Sequence, residues 1–68
     1  MSKLSEQIAN KQAELVSARD VLVDLTEKMD DSDESKTAVS AATEEVEKLT
    51  SELDILKESE AAIQKSIQ

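Results

Sequence analysis

The stretch that decides the fold is Met29-Asp30-Asp31-Ser32-Asp33-Glu34-Ser35, four acids and two serines following a methionine. Asp and Ser side chains compete for backbone hydrogen bonds, which makes them poor in helix interiors and good at caps. A helix arriving from the N-terminal side should end here. Ser32 or Asp33 could cap a following helix by accepting its free N–H groups, and acids beside that N-terminus suit the helix dipole.

On either side of this run the apolar residues repeat at helical spacing. Upstream, Met1, Ile8, Leu15, Leu22 and Met29 recur every seven residues, with Leu4, Lys11, Ala18 and Leu25 in the alternate sites. Downstream, Val39, Val46, Leu53 and Ile67 share a register with Glu60, and Ala42, Leu49, Leu56 and Ile63 form the companion row. Each half carries a heptad a/d stripe, displaced by three residues across the polar run. The expected class is all-α: helices over about 3–29 and 33–66, an acidic turn at about 30–33, and one coiled-coil unit spanning 1–68.

Two architectures satisfy the stripe. One is a single long coiled-coil helix with a stammer, since a three-residue insertion is a known way to shift a heptad register. The other is a two-helix antiparallel coiled-coil hairpin, and the capping chemistry of the linker favours it. A turn centred on Ser32 pairs Leu25 with Val39, Leu22 with Ala42, Ala18 with Val46, Leu15 with Leu49, Lys11 with Leu53 and Ile8 with Leu56. Slipping one heptad would put the turn inside a helix. The interface expected is therefore Leu4, Ile8, Leu15, Ala18, Leu22 and Leu25 against Val39, Ala42, Val46, Leu49, Leu53 and Leu56. Lys11 should snorkel out of the seam.

A second row, Ala9, Val16 and Val23, lies on a flank of the first helix that a hairpin leaves exposed, where another helix or subunit could cover it. Glu60 marks where the longer second helix outruns the first, leaving Ile63 and Ile67 to pack on whatever follows. These five apolar residues are the candidate partner contacts.

Composition narrows function mostly by exclusion. The 68 residues contain no Gly, Pro, Cys, His or aromatic residue. A chain so short buries little apolar surface and leans on a partner or a larger parent. Without Cys or His the thiolate and imidazole metal ligands and the imidazole base are missing. The Asp30–Glu34 run lacks the central Gly of a calcium loop. Carboxylates such as Glu44, Glu45, Glu52 and Asp54 would need a pKa-shifting pocket to act as acid or base, which a thin helix pair hardly supplies. Their expected role is a solvated face with caps, plus a Glu44–Lys48 helix pair. No catalysis, metal or cofactor is expected.

The net charge is −8. Residues 30–35 contribute four acids, against four basic and five acidic residues in 1–29 and four basic and seven acidic in 36–68. Such a surface repels polyanions, so nucleic acid and anionic membrane are poor partners. No run approaches the ~20 apolar residues that span a bilayer, and no signal-peptide core follows Met1. The expected setting is cytoplasmic. Gln68 falls within an apolar-periodic stretch without a helix stop, which suggests the N-terminal piece of something longer.

Asn10-Lys11-Gln12-Ala13-Glu14-Leu15 in the first helix, and Glu45-Val46-Glu47-Lys48-Leu49 leading to Leu53-Asp54-Ile55-Leu56 in the second, flank the acidic turn. This order resembles the N-terminal scaffolding segment, or delta domain, of tailed-bacteriophage major capsid proteins with the HK-type fold. That family has a Lys-Arg-Ala-Glu-Leu-like run, a polar turn and a Leu-x-x-Glu-Ile-x-x-Leu-like second helix. The chain departs from it at Val39, where an aromatic is common, and at Ala42, where Leu is usual. The resemblance implies a non-enzymatic segment that precedes the capsid domain, lies inside the procapsid in the host cytoplasm, guides assembly as a homo-oligomer, and is removed by proteolysis near Gln68. The competing class is an oligomerisation or adaptor coiled coil of a cellular protein, and a third is the helical arm of an enzyme.

Overall fold

A computed structural model describes residues 3–67 of the chain, which form two α-helices, α1 over Lys3–Glu27 and α2 over Asp33–Ile67. The helices fold back and pack against each other as an antiparallel hairpin measuring 55 × 17 × 14 Å. A 35-residue helix is about 52 Å long at 1.5 Å per residue, so α2 alone sets the long dimension.

The linker is built without a left-handed residue, since every described residue has negative φ. Side chains do the work that glycine does elsewhere. The last turn of α1 closes with Lys28 N–H on the Asp24 carbonyl and Met29 N–H on the Thr26 carbonyl, both at 3.2 Å, the second being a tightened three-residue return. The Asp30 N–H then donates to Ser35 Oγ at 3.2 Å. α1 thus ends two residues before the expected 29, because the backbone donors of Met29 and Asp30 leave the four-residue ladder.

Of the two candidate caps, Ser32 fills the position. Its Oγ accepts the Ser35 N–H at 3.1 Å, and its carbonyl accepts the Lys36 N–H, opening the ladder of α2. The Ser32 N–H and O–H both donate to Asp30 Oδ1, at 2.8 and 2.6 Å. Asp33 becomes the first helical residue, where its charge meets the helix N-terminus.

The expected interface residues lie on the inner sides of the two helices. All twelve interface residues are withdrawn from solvent: Leu4, Ile8, Leu15, Ala18, Leu22 and Leu25 on α1, and Val39, Ala42, Val46, Leu49, Leu53 and Leu56 on α2. Among the described residues only Leu49 and Leu53 are buried, at 5% and 6% exposure. Two helices cover each other from one side alone, so most seam residues keep an edge in water. Ala38, Thr43, Ser35 and Glu52 are also half-buried, beside the stripe rather than in it. Thr43 and Thr50 turn their hydroxyls back onto the Val39 and Val46 carbonyls, at 2.9 and 2.8 Å. Met29 is 48% exposed and outside the seam; Met1 lies outside the described residues.

The 35 residues of α2 outnumber the 25 of α1, so the C-terminal end of α2 runs past the described residues of α1. Glu60 is the last half-buried residue of α2.

Candidate interaction surfaces

The tip carries Asp30, Asp31, Asp33 and Glu34, all exposed. Asp30 is the one the structure employs. Its carboxylate accepts the Ser32 hydroxyl and backbone N–H, and those bonds hold its pKa below the usual carboxylate value. The tip acids therefore divide into one that builds the turn and three that face water. Among the described residues, no group of three or more carboxylates is arranged to hold a metal ion.

Midway along the hairpin, Lys11 does not simply snorkel. Its Nζ stands 2.7 Å from Glu52 Oε1 on α2 and 3.7 Å from Glu14 Oε2 on its own helix. Glu52 Oε1 is itself cut off from solvent, with the Lys11 ammonium as its counter-charge. The bond to Glu52 raises the Lys11 pKa, and the bond to Lys11 lowers that of Glu52. The pair sits in a shallow open groove that Gln7, Ile55 and Leu56 also line. Ile55 is 63% exposed although it belongs to neither stripe. Its c position lies on the same side of α2 as Glu52, and that shared side is the signal periodicity counted along a/d rows misses.

The remaining ion pair among the described residues is Lys28–Asp24 at 3.1 Å, an exposed pair within one helix. Glu44 and Lys48 do not form the expected pair; Lys48 acts instead on Glu52, one turn further on, whose pKa it helps to lower.

The five candidate partner contacts stand in two places. Ala9, Val16 and Val23 form an exposed row along α1, with Val16 and Val23 at 57% and 55%. Val16, Arg19, Asp20 and Val23 surround a depression on that face. Ile63 and Ile67 lie at the C-terminal end of α2 and are exposed at 51% and 79% among the described residues. The two groups are not brought together: one lies along the middle of α1, the other beyond its N-terminal end.

Hydrophobic area is thus left on the outside of a molecule that buries two side chains. The chain exposes 5291 Å². Area scaling gives about 4,200 Å² for a compact monomer of this mass. Among the described residues no helix is long and apolar enough to cross a membrane. Comparison with protein-family models, with curated proteins and with solved structures yields no match.

Proposed function

We propose that this hairpin is a non-enzymatic assembly element that holds protein surfaces in relation to one another. The supporting observation is the exposed apolar row Ala9, Val16 and Val23 on a hairpin whose seam, among the described residues, buries only Leu49 and Leu53. Monomeric proteins keep contiguous exposed apolar surface small, and where it persists along one helix face it marks a contact site. Open grooves lined by solvated side chains offer a substrate little desolvation, which favours binding over chemistry.

Following the sequence resemblance, we assign the assembly to a tailed-phage capsid, with the hairpin on the inner face of the immature shell and removed later by proteolysis. Weak contacts suit that task, because a lattice multiplies them through avidity while each remains easy to break. An acidic segment facing the interior would repel incoming DNA, a physical reason for its removal. The test is electron microscopy of the gene product expressed with and without residues 1–68. Closed shells from the intact form and aberrant or absent shells from the truncated form support the reading. Equivalent particles from both, no shells from soluble intact protein, or mature particles retaining residues 1–68 overturn it. Failure to form shells would leave an oligomerisation or adaptor hairpin.

A further inference from the structure

We propose that the partner on the exposed face of α1 is the α1 of a second copy of this chain, packed antiparallel about a two-fold axis between Val16 and Arg19. This deepens the assembly reading above and rests on it for its purpose, but it is tested separately.

The geometry comes from the face itself. Ala9, Gln12, Val16, Arg19, Val23 and Thr26 are all exposed and succeed one another at alternating three- and four-residue steps. That is the spacing of a coiled-coil seam, presented on a flank of α1 distinct from the seam to α2. A knob side chain in such packing enters a hole formed by residues i, i+3, i+4 and i+7 of the facing helix. Val16, Arg19, Asp20 and Val23 have that spacing and surround the depression on this face. In an antiparallel pair, one register lets Val16 of each copy enter this hole of the other. The same register sends Val23 into the hole made by Ala9, Gln12, Ala13 and Val16, whose small residues leave room for it. The surface is self-complementary, as a two-fold contact requires.

Charge selects the occupant and its direction. Arg19 is the only charge in the row and enters no ion pair within the hairpin, nor does the neighbouring Asp20. The antiparallel register sets Arg19 of one copy about 6 Å along the axis from Asp20 of the other, twice, and these two contacts offset the approach of the two Arg19 side chains at the axis. A parallel pair would instead bring the two acidic tips together. In the antiparallel pair the tips stand about 40 Å apart, several times the ~8 Å screening length of physiological salt.

The experiment is sedimentation equilibrium of the chain over a concentration series, with Arg19→Asp, Asp20→Arg and the double swap alongside. The expected result is a dimer. Each single change should raise its dissociation constant about ten-fold or more, as loss of a paired charge does, and the swap should restore it. Both residues are exposed and outside the hairpin seam, and circular dichroism checks that the variants stay helical. Direction is read by a short bismaleimide on Val16→Cys and Val23→Cys chains. Val16→Cys should cross-link, whereas Val23→Cys, about 16 Å from its symmetry mate, should not. A monomer at every concentration, a dimer indifferent to the charge changes, or cross-linking at Val23→Cys overturns the proposal. None of these results touches the particle experiment, which decides the assembly reading by itself.

Discussion

Lys11 Nζ stands 2.7 Å from Glu52 Oε1, and the two residues belong to opposite helices of the pair. The bridge fills a seam site where a leucine would be expected, and it ties α1 to α2 beside the two buried side chains of the described residues, Leu49 and Leu53. Glu52 is held ionised below its ordinary pKa of 4.5, chiefly by its bond to Lys11. A carboxylate depressed in the folded state contributes stability above its unfolded pKa and loses it as pH falls through the folded one. The Glu52→Gln chain should therefore melt lower than wild type near neutral pH, and the gap should close below about pH 4.5. Protonation of the other acids relieves repulsion over the same range, so the informative quantity is the difference at each pH by circular dichroism. A gap unchanged down to pH 2 would mean the bridge contributes no pH-dependent stability.

Lys11 responds in the opposite sense. The Glu52 bond raises its pKa above 10.5, so its contribution is present below that pH and fades as pH rises through the raised value. Removing the cation alone strands a carboxylate oxygen that is cut off from water. Lys11→Met should thus destabilise the hairpin more than Lys11→Met combined with Glu52→Leu, which removes both charges. Thermal melts of the two variants at neutral pH decide between them.

The turn depends on a serine. Ser32→Ala removes the acceptor for the Ser35 N–H and the hydroxyl that donates to Asp30, and should cost about 1 kcal/mol, the usual loss of an N-cap. Asp33→Asn leaves the cap intact and should cost less. Urea denaturation of both variants measures the contrast, and equal losses would place the cap elsewhere.

The core is narrow enough that one residue governs it. Leu49→Ala should cost about 2–5 kcal/mol, as truncation of a buried leucine does, whereas Val16→Ala at an exposed site should stay within ~0.5 kcal/mol for the isolated hairpin. In so small a molecule the first change should abolish cooperative melting; a charge at Leu15 or Leu49 should collapse helicity outright.

Ile63 to Ile67, at the C-terminal end of α2, are exposed and lie past the described residues of α1. Amide hydrogen exchange should be markedly faster there than in residues 45–56, which face α1. Uniform protection along α2 would indicate that Ile63 and Ile67 are covered in solution.

The helical class and the seam were legible because Ile8, Leu15 and Leu22 repeat at a spacing only a helix can use, and because the linker acids fix where the repeat breaks. The helix boundary at Glu27 was not legible, since it depends on the Met29 and Asp30 N–H groups finding partners off the ladder. Nor was the choice between Ser32 and Asp33, because either side chain can cap. The solvated-face role expected of Glu52 fails because it sits one residue beside the expected Lys11–Leu53 pair, within reach of a long flexible side chain but outside the stripe. Ile55 belongs to a groove between helices, which a count along one helix does not reveal.

The linker turns the chain without a single positive φ, so its backbone never leaves the half of conformational space in which helices lie. Straightening it releases no left-handed residue. It breaks four side-chain hydrogen bonds that water can replace, and gives up the seam between the helices. Residues 3–67 as one helix would extend about 97 Å, against the 55 Å of the folded form. The length of the molecule is therefore set by side-chain contacts at the linker and the seam, and not by the stereochemistry of its backbone.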